Sequence, residues 1–479
     1  MSLLNAARFL STIKVAIVGS GPAGFYTTQK LIKHPNVNVD IYEKLPVPFG
    51  LVRYGVAPDH QDVKNVIKSF TSTISNNHDR VNFYGNVSFG TDIGLDDLIQ
   101  AYHAVVLCYG SAQDKLLNID GENSKNTISA RNFVGWYNGV PEDKDLGIDL
   151  NCDTACIIGH GNVALDCARI LLKPSNLDKT DITSYAQQLL AESKIRNIYI
   201  IGRRGPIQAS FTVKELRELI KLNERATTLE PTTIFEDNSV SLKDLNRLPR
   251  HKRRLTELML NVSANREISS SVAESGIKTV FKFLSKPNRI NADPVTGAVN
   301  QLELQKTEYK DTSSFMDPQA RPDDIDEYEA INCGLVIRSI GYKAVMIDKH
   351  LPVDNELGAI MNTDGRIFGY RNLYCSGWLA TGASGVIAGT LQSSEVTAKS
   401  ILDDIQRNEL PNLARKKEGF ELIDRILASR SIQVVHFNQW LRIDEMERRL
   451  GAILGKNREK LVDVTKMLEV ARGIDDAKQ

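Results

Sequence analysis

The chain has 479 residues, of which 42% are hydrophobic and 25% are charged, an ordinary globular composition long enough for two or three domains. Lys and Arg total 59, as do Asp and Glu, so the zero net charge excludes a global attraction to nucleic acid or to a membrane surface. No apolar run approaches the roughly 20 residues that span a bilayer, and we expect no transmembrane segment. The six cysteines form no Cys-x-x-Cys pair and no metal-ligand spacing, which predicts reduced thiols, no metal site and no redox disulfide.

The first fourteen residues, "MSLLNAARFLSTIK", contain Arg8, Lys14 and three hydroxyl residues, and no acidic residue occurs before Asp40. Such a start is typical of a short mitochondrial presequence. The composition fits a frayed terminus before the first strand equally well, so both interpretations stay open at this point.

The first predicted nucleotide-binding unit begins with "IKVAIVGSGPAG", an apolar strand that ends in a glycine turn and leads into a helix. Gly19, Gly21 and Gly24 match Gly-x-Gly-x-x-Gly, whose glycines allow a tight turn, an approaching pyrophosphate and close helix packing. Glu43 ends the next strand, "VNVDIYEK", where a carboxylate accepts hydrogen bonds from a ribose. The alternative is a purely structural turn with a solvated Glu43.

A second unit of the same kind begins with "TACIIGHGNVA", in which Gly159, Gly161 and Ala164 fill the Gly/Ala variant of the pattern. Its partner strand, "IRNIYIIGRRG", ends in Arg203 and Arg204 rather than in an acid. Because guanidinium groups pair bidentately with phosphate oxygens, this site is predicted to prefer NADPH over NADH. The alternative is a pair of solvated loop arginines.

Strands that alternate with helices predict parallel sheets covered on both faces, so the fold class is α/β with two Rossmann-like dinucleotide-binding domains. Two such sites in one chain suggest a flavin in one and a nicotinamide nucleotide in the other, with a hydride passing between them. Between about residues 222 and 330 the pattern loosens and becomes polar, which predicts surface segments of the second domain.

Several longer blocks resemble the adrenodoxin reductase (NADPH:ferredoxin oxidoreductase) family, and the chain is identified as a mitochondrial, fungal-type member. The likeness runs from about Lys14 to Leu468, through "PVPFGLVRYGVAPDH", "GHGNVALDCARILL", "GRRGPIQASFTVKELREL", "PRHKRRLTEL", "GWLATGASGVIAGT" and "NREKLVDVTKML". The resemblance implies a glutathione-reductase-like fold with the NADP domain inserted into the FAD domain. The expected boundaries are 1–112 and 340–479 for the FAD domain and 113–339 for the NADP domain.

The resemblance also implies the residues that contact each cofactor. Those expected at FAD, with the glycines of the first turn, are Gly19, Gly21, Ala23, Gly24, Glu43, Leu51, Val87, Trp378, Gly385, Val386 and Ile387. Those expected at NADP(H) are His160, Gly161, Asn162, Val163, Arg203, Arg204, Glu215 and Gly385. His60 and Glu218 are candidate catalytic residues that tune the site through proton or charge effects. For both of them an ordinary structural role is the alternative.

The basic run "KDLNRLPRHKRRLTEL" is the candidate partner surface, because Arg250 and Arg254 lie one helical turn apart on the same face. Arg217 joins them by the family resemblance. The expected partner is an acidic [2Fe–2S] ferredoxin. Complementary charge would speed its encounter with this surface and orient it there. A solvated basic helix is the alternative interpretation. The resemblance places the protein in the mitochondrial matrix and leaves peripheral association with the inner membrane open.

The sequence therefore predicts a flavoprotein that passes electrons from NADPH through FAD, one at a time, to an adrenodoxin-type ferredoxin. Two other functions stay open. One is an NADPH-dependent flavin reductase of a small-molecule or quinone acceptor. The other is a nucleotide-sensing protein that binds both cofactors without turnover.

Overall fold

The computed structural model describes residues 12–172, 177–222, 232–236, 244–264, 278–354, 356–383 and 387–474. The chain divides into two compact units. The first unit consists of Met1–Lys115 and Gly341–Gln479, and the second unit, Leu116–Ile340, is inserted between these two segments.

The first segment of the first unit supplies the leading strands of its sheet. Its elements are β1 (Ile13–Val18), α1 (Pro22–Leu31), β2 (Val37–Glu43), α2 (Gly50–Tyr54), α3 (Gln61–Lys64), α4 (Val66–Ser75), β3 (Val81–Gly85), α5 (Leu95–Ala101), β4 (Ala104–Leu107) and β5 (Gln113–Asp114).

The second unit follows in the chain. Its elements are β6 (Thr127–Ser129), α6 (Ala130–Asn138), β7 (Thr154–Ile158), α7 (Asn162–Leu172), α8 (Ser184–Ala191), β8 (Asn197–Ile201), α9 (Val213–Lys221), β9 (Thr232–Glu236), α10 (Arg250–Ala264), β10 (Lys278–Lys282), β11 (Ser285–Ala292), β12 (Val299–Glu308), α11 (Thr312–Met316), β13 (Asp323–Asn332) and β14 (Leu335–Arg338).

The last segment returns to the first unit. Its elements are β15 (Tyr342–Lys343), β16 (Val353–Asp354), β17 (Ala359–Ile360), β18 (Asn362–Thr363), β19 (Arg366–Ile367), β20 (Leu373–Cys375), α12 (Trp378–Thr381), α13 (Ile387–Gln406), α14 (Phe420–Ser429), β21 (Val435–His436), α15 (Phe437–Ile453) and α16 (Val464–Arg472). β15 pairs antiparallel with β5, so the two segments join in a short ribbon and the first unit extends to Lys115.

Of the described residues of the first unit, eight strands form one sheet in the order β18-β19-β20-β4-β1-β2-β3-β21. The five strands from β20 to β3 are parallel, and their apolar residues are buried, as expected when both faces of a parallel sheet are covered. The register pairs Val18 with Tyr42, so β1 and β2 end side by side. This register brings the first glycine turn next to Glu43, because Gly19 donates its N–H to the Tyr42 carbonyl (2.8 Å).

The described part of the second unit has a six-stranded parallel sheet in the order β6-β14-β7-β8-β10-β9. Helices α6 to α10 bury apolar residues on one face, among them Phe133, Leu165 and Leu216. On the other face Ile158 and Ile201 pack against Leu302 and Leu304 of β12. β11, β12 and β13 form a separate antiparallel sheet there.

That antiparallel sheet corrects the sequence analysis, which treated residues 222–330 as loosely patterned surface segments. Most of β13 is exposed, and the buried residues of β12 are separated by part-buried and exposed ones. The polar composition reflects strands with one wet face. Among the described residues, no helix has the length and apolar character needed to cross a bilayer.

Candidate functional site

The first glycine turn connects β1 to α1 and leaves open space in front of the helix. Gly19 has a φ of +108°, and a Cβ there would lie 2.6 Å from the Cys108 carbonyl oxygen, so only glycine fits. A Cβ at Gly24 would overlap the Gly19 carbonyl oxygen. At Gly21, by contrast, no described atom lies within 4 Å of where a Cβ would stand. This space at the N-terminus of a ten-residue helix fits a pyrophosphate.

Glu43 is held beside this turn at the end of β2. Its Oε2 accepts hydrogen bonds from the Ser20 main-chain N–H (3.0 Å) and hydroxyl (2.7 Å), and its Oε1 accepts one from Leu45 N–H (3.3 Å). The carboxylate is therefore oriented rather than freely solvated, and its remaining lone pairs can accept from ribose hydroxyls. The main chain of Val87 also attaches here, donating to the Glu43 carbonyl oxygen (2.9 Å).

The other residues predicted at FAD surround the same turn or lie outside the described residues. Leu51 of α2 is 44% exposed, whereas Val87 and Ala23 are buried. A Cβ at Gly377, which has a φ of +65°, would lie 2.6 Å from the Ala23 Cβ, so the turn before α12 approaches α1 closely. Trp378 follows it. Gly385 and Val386 lie outside the described residues, and of Ile387 only the main chain, at the start of α13, is described.

The second glycine turn connects β7 to α7 with the same backbone geometry as the first turn. Gly159 has a φ of +127°, and a Cβ there would overlap the Ser339 carbonyl oxygen. The nearest atom to a Cβ at Gly161 would be the Ser210 hydroxyl, 3.6 Å away, so this glycine also faces open space. Asn162, the first residue of α7, accepts from the Thr212 N–H (2.8 Å) and is thereby fixed. A second pyrophosphate fits here.

His160, which the resemblance places at NADP(H), turns its ring into the protein. The ring lies 4.6 Å from that of Phe283, and Nε2–H donates to the Ile200 carbonyl oxygen (3.1 Å). Burial lowers the pKa of His160 to about 4, so the ring is neutral near pH 7. Contact with a nucleotide would therefore come from the main chain. Val163 likewise packs its side chain against the core.

Arg203 and Arg204 stand after β8 without an acidic partner. Within the described ranges, no carboxylate forms a salt bridge with either guanidinium, although Arg204 is only part-exposed. Burial lowers the pKa of Arg204, and the charges of Arg203 and Arg321 lower it further, against the opposite effect of Tyr309. An uncompensated cluster of cations at this position fits a 2′-phosphate.

Lys252 and Arg321 belong to this cluster, and sequence reasoning missed both. Lys252 Nζ donates to the Ala209 carbonyl oxygen (2.5 Å), and the pKa of Lys252 is lowered by burial and then by Arg204. The sequence predicts one exposed surface for the basic run, but Lys252 points inward while Arg250 and Arg254 are exposed. No local pattern could show this, because 43 residues separate Lys252 from Ala209.

Glu215 and Glu218 gather around a buried arginine. Glu215 Oε2 accepts from Arg169 Nη1 (3.4 Å), and Glu218 Oε2 lies 3.9 Å from the same nitrogen. Thr212 caps α9 by accepting from Glu215 N–H (3.3 Å). His60 lies before α3, and its N–H donates to the Ala57 carbonyl oxygen (3.0 Å). The tuning roles of Glu218 and His60 stay predictions.

The exposed cations of α9 and α10 meet in a cleft of about 430 Å³, here called the α9–α10 cleft. Its lining residues are Val213, Lys214, Arg217, Glu218, Lys221, His251 and Arg254. The fold thus brings Arg217 and Arg254 to one surface, whereas Arg250 lies outside the lining. Within the described residues, Glu218 is the acid of this cleft, and it is drawn toward Arg169.

Two strand–glycine–helix turns, one beside a carboxylate and the other beside paired arginines, define an oxidoreductase with two dinucleotide-binding domains. Residues 13–220 match the model of a family described as pyridine nucleotide-disulphide oxidoreductase. The chain belongs to the NADPH:adrenodoxin oxidoreductase family.

This membership rests on similarity over nearly the full chain. The human protein named NADPH:adrenodoxin oxidoreductase, mitochondrial, is 43% identical over 464 residues, which are 96% of this chain and 92% of that protein. A Schizosaccharomyces pombe protein with the same name, marked probable, is 37% identical over 91% of each chain. Among solved structures, FprA, an oxidoreductase of Mycobacterium tuberculosis, gives a TM-score of 0.86 at 33% identity over 96% of this chain and 100% of that one. The predicted family, α/β fold and oxidoreductase class are thereby confirmed.

Proposed function

We propose that this protein is an FAD-dependent NADPH:ferredoxin oxidoreductase of mitochondria, which delivers electrons singly to an acidic [2Fe–2S] ferredoxin. The observation that carries the proposal is the contrast between the two turns. One ends beside the oriented carboxylate of Glu43, and the other beside Arg203 and Arg204, whose guanidinium groups form no salt bridge with a described carboxylate. FAD, when bound, supplies the conversion of a two-electron hydride into single electrons.

In the first unit the protein's part is to bind and orient FAD. Gly21 leaves room for the pyrophosphate against the main chain, and the N-terminus of α1 offers its free N–H groups to the phosphate charge. Glu43 accepts from the ribose hydroxyls, and its hydrogen bonds from Ser20 keep it aimed at them.

In the second unit the protein's part is to select NADPH. Gly161 leaves room for the pyrophosphate before α7, and Arg203 and Arg204 pair with the 2′-phosphate. Such a site should discriminate strongly against NADH, because the neighbouring guanidinium charges repel one another when no phosphate lies between them.

The partner is proposed to dock at the α9–α10 cleft. Lys214, Arg217, Lys221 and Arg254 give this cleft a positive charge on a chain that is neutral as a whole. Acidic residues of a ferredoxin would be drawn to it over the length at which salt leaves charges unscreened, about 8–10 Å. Human and fungal relatives are named for adrenodoxin, which is consistent with such a partner.

The test is an anaerobic titration of the purified yellow protein with NADPH, followed by addition of a [2Fe–2S] ferredoxin. We expect near-stoichiometric bleaching of the flavin absorbance and then reduction of the ferredoxin. A protein that stays yellow would be a nucleotide sensor. One that bleaches but reduces only ferricyanide or a quinone would be a reductase of small acceptors.

A further inference from the structure

The short helix α2 rests directly on the first glycine turn. Phe49 donates its N–H to the Ser20 carbonyl oxygen (3.0 Å), and a Cβ at Gly50, whose φ is +46°, would lie 3.0 Å from the Gly21 Cα. Phe49 itself has a φ of +86°, a left-handed conformation that costs free energy in a non-glycine residue. Surrounding structure must therefore hold α2 in place, since any shift of α2 changes the space over Gly21.

Helix α15, in the last segment of the first unit, holds α2 in place. Arg53 of α2 is 3% exposed and forms an ion pair with Glu447 of α15, which is completely buried. The Arg53 guanidinium also lies over the ring of Trp440, 5.3 Å from its centroid. The same tryptophan meets the Phe49 ring edge-on at 5.9 Å. α15 thus contacts α2 at both ends, through Phe49 just before the helix and through Arg53 in its last turn.

Glu447 is a fixed anchor rather than a mobile acid. Its Oε1 accepts from the Leu461 N–H (3.0 Å), and its Oε2 accepts from Arg458 Nη1 (2.6 Å). Arg458 is in turn held by Asp444 (2.5 Å). Because Leu461 and Arg458 hold both oxygens, the Glu447 carboxylate presents one orientation to Arg53.

A buried ion pair is a poor source of net stability, because both charges lose their hydration and apolar residues of the same size fill the space as well. Its particular contribution is direction, since a guanidinium pairs with a carboxylate in few geometries. We propose that Arg53 is a positioning residue for the flavin: its pairing with Glu447 fixes α2 against the glycine turn, and so sets the space and main-chain geometry in which FAD binds. This proposal rests on the FAD site proposed above.

The experiment follows FAD release from the holoenzyme by the rise of flavin fluorescence on dilution, together with the flavin absorbance spectrum and thermal unfolding. The variants are Arg53→Met, Arg53→Lys and, as a matched control, Arg366→Met. Arg366 belongs to the same unit and pairs bidentately with Asp404 (2.7 and 2.8 Å). We expect Arg53→Met to release FAD at least tenfold faster and to shift the flavin spectrum, with Arg53→Lys in between. Arg366→Met should lower the melting temperature and leave FAD release within twofold of the unsubstituted protein.

The proposal is overturned if Arg53→Met retains the normal release rate and spectrum, or if Arg366→Met accelerates release as much. Should Arg53→Met fail to fold, Glu447→Gln replaces it, because the amide keeps the shape and weakens the pairing with Arg53. At least threefold faster release is then expected, and unchanged release would overturn the proposal. If the unsubstituted protein holds no FAD, the proposed function fails as well, and this outcome is distinct from normal release by the variants.

Discussion

The two glycine turns share one backbone geometry, in which the first glycine has a positive φ and lies against a main-chain carbonyl, but the carbonyl comes from a different residue in each unit. In the first unit the carbonyl of Cys108, which follows β4, occupies the place of a side chain at Gly19. In the second unit the carbonyl of Ser339, which follows β14, does the same at Gly159. β4 is the parallel neighbour of β1, and β14 is the parallel neighbour of β7. In both units, therefore, the residue that packs against the first glycine of the turn comes from the end of a neighbouring strand of the sheet and not from the turn itself.

The turns differ in what stands after the neighbouring strand. Glu43 is oriented by hydrogen bonds from Ser20 and Leu45 and keeps lone pairs for further donors, whereas neither Arg203 nor Arg204 forms a salt bridge with a carboxylate of the described residues. On the proposed assignment, the main chain of each turn selects a dinucleotide, and the side chains after the neighbouring strand select hydroxyl or phosphate on the ribose.

The largest effect is expected from Gly21→Val, which should abolish FAD binding. No described atom of the protein obstructs a side chain at this position, so the branched residue competes with the pyrophosphate and not with the fold. The flavin content of the purified protein, measured by absorbance, checks this. Gly161→Val is the matched control, because it should weaken NADPH binding and leave the flavin content normal. A yellow, fully loaded Gly21→Val protein would contradict the assignment of the turn.

Next is the double replacement Arg203→Ala with Arg204→Ala, which should raise the KM for NADPH at least tens-fold and leave that for NADH nearly unchanged. Charge-assisted hydrogen bonds of about 1.5–3 kcal/mol each are lost only with the phosphorylated nucleotide. Steady-state reduction of ferricyanide by each nucleotide measures the change. Arg289→Ala, which removes an arginine paired with Asp120 in the same unit, should change neither KM. Equal use of NADPH and NADH by the unsubstituted protein would refute the idea.

A smaller effect, roughly tenfold, is expected from reversing charges at the partner surface. Arg217→Glu, Arg250→Glu and Arg254→Glu should each slow ferredoxin reduction and largely spare ferricyanide reduction, because a ferredoxin must dock on this surface whereas ferricyanide, a small anion, needs no docking site. Added salt should slow the unsubstituted protein with ferredoxin and affect the variants less. Lys310→Glu, at an exposed lysine of the same unit, is the control. Unchanged ferredoxin kinetics in all three variants would return the basic run to a solvated face.

The structure separates the three arginines within this prediction. Arg217 and Arg254 line the α9–α10 cleft, and Arg250 does not. The Arg217→Glu and Arg254→Glu variants should therefore show the larger losses. A dominant loss with Arg250→Glu would move the docking surface away from the cleft.

The smallest effect at neutral pH concerns His160, which the second turn has and the first lacks. Its folded-state pKa of about 4 lies below the usual value of about 6.5, so the unfolded chain binds the proton more tightly. His160 therefore leaves the free energy of unfolding undiminished above about pH 6.5 and lowers it as the pH falls toward about 4. Thermal unfolding from pH 7 to 4.5 should show this loss, and His160→Gln should reduce the slope. His350→Gln, at an exposed histidine, should retain it. An unaltered slope with His160→Gln would assign the loss to other groups.

Local patterns were enough to predict both nucleotide-binding units. Each unit has the same pattern in the sequence: an apolar strand, a glycine turn, a helix and a charged residue at the end of the next strand. The whole pattern lies within about 30 to 50 residues. The antiparallel sheet β11–β13 was not predicted, because bulges interrupt the alternation of apolar and polar residues and because most of β13 is exposed. Similarly, the direction of the His160 ring follows from Phe283, which lies far along the chain.

By itself the sequence determined the class of fold, the two dinucleotide turns and the charges that distinguish them, since these depend on spacing within single strand–helix units. Only the tertiary structure decided which basic residues face inward, as Lys252 does, and which line the α9–α10 cleft, as Arg254 does. It alone joined Arg53 to Glu447, 394 positions further along. The physical reason is that burial and charge pairing are set by whatever packs from outside the local element, and such neighbours leave no trace in the spacing of nearby residues.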